Sequence, residues 1–272
     1  MNFWVNLLNI LQATMTTPTS YGWFHFMWVG IIVITTTLLC YFGRNVNDRQ
    51  FRRIIFFLWL AMTLFEIYKQ FMFTFSVEDG KVVAEYMWYQ FPFQLCGTPI
   101  FVVPFIIWGK EGKFRDAIMA FMCFFSFFGG LVSYIYPEDL FISTICINLQ
   151  TMFHHGSQIV FGLFIATYLR KRFNFSLYLK GLYTFAVLCG IALVMDIGMY
   201  HVFQALDIDH TFNMFFISPY FDCTLPVLDS IYKKIPYIPF LATYILGFGV
   251  IGVIMFTIQK GCIKMATRTK KV

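Results

Sequence analysis

The chain alternates between long apolar stretches and short polar segments, and this pattern predicts a bundle of membrane-spanning helices. A helix needs about 20 mostly apolar residues to cross the hydrocarbon core of a bilayer. Seven stretches reach that length. They cover residues 21–43, 51–75, 87–108, 114–136, 141–169, 180–203 and 236–258. The expected fold is therefore an all-α, polytopic membrane bundle with seven transmembrane helices.

The placement of Lys and Arg predicts the direction of each span. Sixteen of the twenty basic residues fall in, or within three residues of, the connections after the first, third and fifth spans and in the tail after the seventh. Basic residues accumulate on the cytoplasmic side of membrane proteins. We therefore expect residues 1–20 to form an external N-terminal segment with a short interfacial helix. Residues 21–258 would form one transmembrane domain, and residues 259–272 a basic cytoplasmic tail.

Composition supports a membrane location and excludes other classes of protein. The chain is 59% hydrophobic and only 12% charged, whereas a soluble domain carries about a quarter charged residues. No cluster of basic and aromatic residues indicates a nucleic-acid partner. We expect an integral, multi-pass protein whose partner is membrane phospholipid, and the pattern specifies no oligomeric state.

Ionisable and strongly polar side chains inside the predicted spans lie at similar depths. They are Glu66, Lys69, Gln94, Cys96, Gln150, His154, His155 and Asp196. A rise of 1.5 Å per residue puts most of them about 10–20 Å below the outer ends of their helices. Lipid tolerates such groups where they face the bundle interior or a wet cavity. Pro92, Pro99 and Pro104 should break the third span, and irregular backbone at membrane depth usually lines a cavity. These features predict a polar site in the outer-leaflet half.

A thiol and an imidazole in one cavity are suited to nucleophilic acyl chemistry. Cys96 is the candidate nucleophile because it is the cysteine that shares the depth of the other polar residues. Gln94, or backbone N–H groups near Pro92, could stabilise an oxyanion. A depth of about 14 Å is close to that of the ester carbonyls of a phospholipid.

Other interpretations use the same residues. Glu66 and Lys69 are three residues apart and could form a structural ion pair, a histidine could bind a carbonyl, and Asp196 could bridge helices. A transporter is a second hypothesis, since polar sites beside broken helices are typical of transporters. A zinc-dependent lipid hydrolase is a third, using His154 or His155 together with His25, His201 and Asp196. No HxxxH or HExxH spacing is present, so the preferred interpretation has no metal and no cofactor.

Four short motifs occur in a fixed order along the chain. They are FQLC (Phe93–Cys96), HHG (His154–Gly156), FNMFF (Phe212–Phe216) and PYIPF (Pro236–Phe240). Together they resemble the YwaF-like bacterial membrane proteins, which are related to the eukaryotic transmembrane protein 164 family, over about residues 21–258.

The resemblance implies a cysteine-dependent phospholipid acyltransferase, in this case of the bacterial cell membrane. It places the nucleophile at Cys96 and the catalytic histidine at His155, and leaves the other six polar residues as a supporting shell. One departure concerns the third motif, where the aromatic residue usual between Asn and Met is missing and Met214 follows Asn213 directly.

Overall fold

The computed structural model describes residues 3–137 and 140–268, with side chains to Lys264. Helices dominate this described part of the chain, and one two-stranded sheet accompanies them there. The helices are α1 (Phe3–Leu11), α2 (Trp23–Phe42), α3 (Asp48–Met72), α4 (Pro99–Trp108), α5 (Lys113–Phe121), α6 (Phe127–Ile135), α7 (Ile145–Tyr168), α8 (Phe175–Ala205), α9 (Leu228–Tyr232) and α10 (Tyr237–Arg268). The strands are β1 (Phe75–Glu78) and β2 (Lys81–Ala84).

Within residues 3–137 and 140–268, five helical segments are long and apolar enough to cross a membrane. They are Trp23–Asn45, Asp48–Met72, Lys113–Ile135, Phe175–Ala205 and Tyr237–Lys264. They correspond to the first, second, fourth, sixth and seventh predicted spans. The chain is thus a multi-pass integral membrane protein. The count of seven spans and the orientation of the termini stay predictions.

The segment expected to form the third span contains only a short helix. Residues 87–98 form a 3₁₀ turn at Trp88–Gln90 followed by irregular backbone, and α4 has 10 residues. Ten residues rise about 15 Å, half the hydrocarbon thickness of about 30 Å. Pro92 cannot donate a backbone hydrogen bond, while Pro99 suits the first turn of α4. The expected helix over 87–108 is therefore shortened to Pro99–Trp108.

Helix α7, within the predicted span 141–169, is the central element of the bundle. It has 24 residues, long enough to span, but 15 of them are buried inside the protein and several are polar. Two glycines allow its neighbours to approach closely. A Cβ on Gly156 would collide with Ile32 of α2, and one on Gly162 with Phe127 of α6.

Helices α5 and α6 form one rod, Lys113–Ile135, interrupted by a π turn at Met122–Ser126. A π turn disturbs the regular carbonyl pairing of the helix. Here the buried side chain of Gln259, on α10, donates through Nε2 to the carbonyl oxygen of Cys123 at 2.7 Å. The π turn is thus held from outside the rod.

The ends of the chain and the longer connections complete the fold. The short helix expected near the N-terminus is α1. Gln12, the residue that follows it, donates through Nε2 to the carbonyl of Phe75 at 3.2 Å. The β1–β2 hairpin departs from the all-α expectation, and it turns at Asp79 and Gly80, both with positive φ. Residues 138–139 and 269–272, which the charge pattern assigned to the outer face and to the basic tail, lie outside the described residues.

Candidate functional site

A cavity of about 220 Å³ lies between α3, α7 and the irregular segment before α4. Seven of the eight predicted polar residues line it. They are Glu66, Lys69, Gln94, Cys96, Gln150, His154 and His155. Counting depth along predicted helices thus selected residues that the fold brings to one place.

Glu66 is the hub of the polar network, because both of its carboxylate oxygens have partners. Oε2 accepts a hydrogen bond from Gln150 Nε2 at 3.1 Å and lies 3.6 Å from His154 Nδ1. Oε1 accepts from Gln70 Nε2 at 2.7 Å and lies 3.6 Å from Lys69 Nζ. Glu66 is 5% exposed, and a buried carboxylate needs such partners to offset its lost hydration.

Two members of this network were missed from the sequence. Tyr86 donates through its hydroxyl to Gln70 Oε1 at 2.6 Å, which orients the Gln70 amide so that its nitrogen faces Glu66. Burial, together with the Glu66 carboxylate, raises the pKa of Tyr86 to about 12. The Tyr86 hydroxyl therefore keeps its proton, and its role as donor, at neutral pH. Tyr86 lies just before the predicted third span, whereas Gln70 follows Lys69 directly and its four-residue spacing from Glu66 could have indicated it.

His154 holds the backbone of the cysteine. Its Nε2 lies 2.8 Å from the carbonyl oxygen of Cys96, and Gln158 Nε2 donates to the same oxygen at 3.0 Å. A carbonyl oxygen only accepts, so His154 must carry a hydrogen on Nε2. The proline-broken segment has no helical partner for this carbonyl, and α7 supplies two. His154 therefore positions Cys96 through its peptide group.

His155 points to a different partner, as expected for adjacent helical residues about 100° apart. Its Nδ1 lies 3.1 Å from Ser133 Oγ, and the Ser133 hydroxyl donates to the Gly129 carbonyl at 3.1 Å. Since that hydroxyl has a single hydrogen, Ser133 Oγ accepts from Nδ1–H of His155. This tautomer leaves the lone pair of the imidazole on Nε2. Ser133 was not singled out from the sequence, because nothing there pairs it with α7.

The Cys96 side chain is half-buried and lines the cavity. It sits in a turn closed by Gly97 N–H and Thr98 N–H, which donate to the Gln94 carbonyl at 2.8 and 3.0 Å. A Cβ on Gly97 would collide with the carbonyl of Pro92, so the residue after the cysteine must be small. Within the described part of the chain no hydrogen bond joins the Cys96 thiol to either histidine.

Gln94 and Asp196 both bind the loop that carries the FNMFF motif. Gln94 donates through Nε2 to the Asn213 carbonyl and accepts from Phe215 N–H, both at 2.7 Å. Asp196 Oδ1 accepts from Met214 N–H at 2.7 Å. Asp196 is fully buried and does not line the cavity. It shares the depth of the site but lies elsewhere in the bundle, where it binds a loop rather than bridging two long helices.

The donors considered for zinc are dispersed. His25 Nδ1 accepts from the backbone N–H of Tyr21 at 3.2 Å, and His201 Nε2 lies 3.3 Å from the Tyr220 hydroxyl. In residues 3–137 and 140–268, no group of three or more His, Cys, Asp or Glu side chains is close enough to hold a metal ion. The arrangement of donors therefore does not favour the zinc hypothesis.

The fold and the cavity define a multi-pass membrane protein with a polar site buried among its helices. A family model, the TMEM164 family, matches residues 20–259, and the chain belongs to that family. Comparison with curated proteins and with solved structures found no significant match.

Proposed function

We propose that the protein transfers acyl groups on membrane phospholipid, or hydrolyses them, with Cys96 as nucleophile and His155 as general base. The observation that carries this proposal is the shared cavity, which Cys96 and His155 both line. Membership of the TMEM164 family supports it, and the YwaF-like resemblance is the reason to propose a bacterial cell membrane as its location.

The first step would form a thioester. His155 Nε2 accepts the thiol proton as the Cys96 sulfur attacks the ester carbonyl of a phospholipid. The C–O bond of the ester then breaks, and the imidazolium returns the proton to the leaving alkoxide, which departs as the hydroxyl of a lysophospholipid. The acyl group is left on Cys96.

The second step would return the enzyme to its starting state. An acceptor hydroxyl, from a lysolipid or from water, loses its proton to His155 Nε2 and attacks the thioester carbonyl. The C–S bond breaks, and the proton passes to the thiolate. A lysolipid acceptor gives acyl transfer, and water gives hydrolysis.

The hydrogen bonds around His155 support its role as the base. The bond from Nδ1–H to Ser133 leaves Nε2 as the nitrogen able to take a proton. His154 is less suited, because its Nε2–H is bonded to the Cys96 carbonyl. The two histidines would therefore have different roles. His154 would position the Cys96 peptide group, and His155 would accept and return the proton.

The surroundings offer space for a lipid substrate. A second cavity of about 410 Å³ adjoins the first, and both are lined by Phe73 and Tyr89. The second cavity has an aromatic wall that includes Tyr86 and Trp88. A substrate whose ester occupies the first cavity could extend into the second.

The test is to detect the acyl-enzyme. Purified wild type, Cys96→Ala and Cys40→Ala are incubated with phospholipid carrying a labelled acyl chain, and the intact proteins are weighed by mass spectrometry. Cys40 is a matched control, since it is also half-buried but does not line the cavity. We expect an acyl adduct on wild type and Cys40→Ala and none on Cys96→Ala. An equal adduct on all three would refute Cys96 as the nucleophile.

Transport of a small molecule or ion is a second candidate, favoured by the buried charges around Glu66. A carboxylate, an ammonium and an imidazole share one cavity, and intramembrane ionisable groups often mark ion or proton pathways. Uptake into proteoliposomes that persists in Cys96→Ala but is lost in Glu66→Gln would favour transport. Acyl transfer instead predicts that activity is lost in Cys96→Ala.

A further inference from the structure

A separate cavity of about 470 Å³ lies at the other end of the bundle, where α2 and α7 end. Its charged lining consists of Arg44, Arg170, Lys171, Arg172 and Glu111. Four cations and one carboxylate give the cavity an excess of positive charge. It shares no lining residue with the cavity around Cys96.

The fold holds two sides of this cavity together. A Cβ on Gly43 would collide with the Phe164 ring of α7, so glycine lets the turn after α2 lie directly against that helix. Arg170 then bridges the two chain segments. It donates to the Thr167 carbonyl and to Asn45 Oδ1, each at 3.1 Å. These contacts hold together the two backbone segments that carry the basic residues.

Among the described residues, three of the four cations, Arg44, Arg170 and Lys171, have no acidic partner. Arg172 is paired with Asp116 at 3.1 Å, and Arg170 is engaged as above. The Arg44 guanidinium lies over the Tyr41 ring, 4.7 Å from its centroid. Among the described residues, no carboxylate lies within ion-pair distance of Arg44 or Lys171.

The cavity lies at a membrane boundary. It adjoins the end of the candidate span Trp23–Asn45 and the start of the candidate span Asp48–Met72. Tyr41 and Phe42, just before Arg44, are exposed on the bundle surface, and exposed aromatic residues at span ends are typical of the headgroup level. Basic pockets between membrane helices at this level suit anionic headgroups.

We propose that this cavity binds a phosphate-bearing anionic group, with Arg44 and Lys171 as its principal cations. Arginine presents several donors in a planar fork that matches phosphate oxygens, and lysine contributes a compact charge. Glu111, the acid of the lining, would accept hydrogen bonds from hydroxyl groups on the same ligand. A phosphoglycerol headgroup combines both features, and so does free glycerol phosphate.

The test compares two charge-matched double variants of the full chain. Arg44→Gln/Lys171→Gln removes two cations from the cavity, while Arg49→Gln/Arg53→Gln removes two exposed cations near the same boundary but outside it. Each purified protein is titrated in detergent with phosphatidylglycerol and with phosphatidylcholine, and bound lipid is counted by native mass spectrometry. A parallel arm adds glycerol phosphate as a competitor.

We expect the wild type and the control pair to retain phosphatidylglycerol in preference to phosphatidylcholine. Loss of each cavity cation should weaken phosphatidylglycerol binding about fivefold. Competition by glycerol phosphate would identify the headgroup as sufficient, and its failure would identify an intact lipid as the ligand. Equal losses in both double variants, or no preference in the wild type, would overturn the proposal. Lys171→Gln alone changes an exposed side chain and provides the test should the cavity pair not fold.

Discussion

His154 Nε2 lies 2.8 Å from the carbonyl oxygen of Cys96, so one histidine of the adjacent pair is bonded to the backbone of the cysteine. The other, His155, is bonded through Nδ1 to Ser133 on a different helix. One helix thus supplies both a group that holds the Cys96 peptide and a group with a lone pair at the cavity. The two histidines should respond differently to substitution.

His154→Ala should lower both stability and acyl transfer. Removing a donor to a buried carbonyl costs about 1–3 kcal/mol, and the Cys96 peptide would keep only the bond from Gln158. His154→Gln is the control, because its amide nitrogen can replace Nε2 as a donor. Thermal unfolding in detergent and the rate of acyl-enzyme formation measure the two effects. An alanine variant as active as the glutamine variant would contradict a positioning role.

Ser133→Ala should slow acylation, because His155 Nδ1 loses the hydrogen bond that selects its tautomer. The reduction should be smaller than for His155→Ala, since a general base contributes about 10²–10⁴-fold to a rate. We expect kcat to fall with little change in KM, because Ser133 does not line the cavity. Ser133→Thr keeps the hydroxyl and should restore the rate. If the threonine and alanine variants were equally slow, the tautomer argument would fail.

Asp196→Ala should destabilise the protein without changing the activity of each folded molecule. The buried N–H of Met214 would lose its acceptor, at a cost of about 1–3 kcal/mol. Asp196→Asn retains an accepting oxygen and should lie close to wild type. Unfolding temperature and activity per folded protein are the measurements. A strong loss of specific activity in the asparagine variant would contradict a purely structural role for Asp196.

Gly156→Ala should destabilise the packing of α7 against α2. The added methyl group has no room beside Ile32, and overpacking of this kind costs about 1–3 kcal/mol. Gly190→Ala is a matched control on α8, where nothing lies within 4 Å of the position that a Cβ would occupy. It should raise stability by about 0.5–1 kcal/mol through the lower flexibility of alanine. Unfolding in detergent should separate the two variants, and equal stabilities would contradict the packing argument.

Much of the fold could be predicted because lipid imposes a simple rule on sequence. The apolar stretches containing α2, α3, α8 and α10 follow directly from length and hydropathy. The break in the third span was predicted from its prolines, but its extent before Pro99 was not, since apolar composition alone does not say how much of the segment stays helical. The β1–β2 hairpin was also missed, because a short polar connection gives little indication of its own pairing.

The candidate site was predictable in its membership and less so in its connections. Depth along a helix follows from residue counting, and three residues that it grouped, Glu66, Cys96 and His155, line one cavity. Depth gives no information on which side of the bundle a residue lies, so Asp196 was grouped with them. Ser133 gains its importance from a contact across helices, which one sequence does not specify. Gln70 contacts Glu66 one turn away on α3, so the four-residue spacing was a signal that the prediction did not use.

The π turn at Met122–Ser126 determines the rotation of all residues that follow it in the same rod. Each residue turns an α-helix by about 100°, and a π turn holds more residues than an α turn. Deleting one codon there, in a stretch that does not line the Cys96 cavity, would convert the π turn to an α turn and leave Ser133 facing His155. Deleting one codon from α6 ahead of Ser133 would instead swing Ser133 about 100° away from His155. The wide turn thus accommodates one additional residue while Ser133 and His155 stay in register.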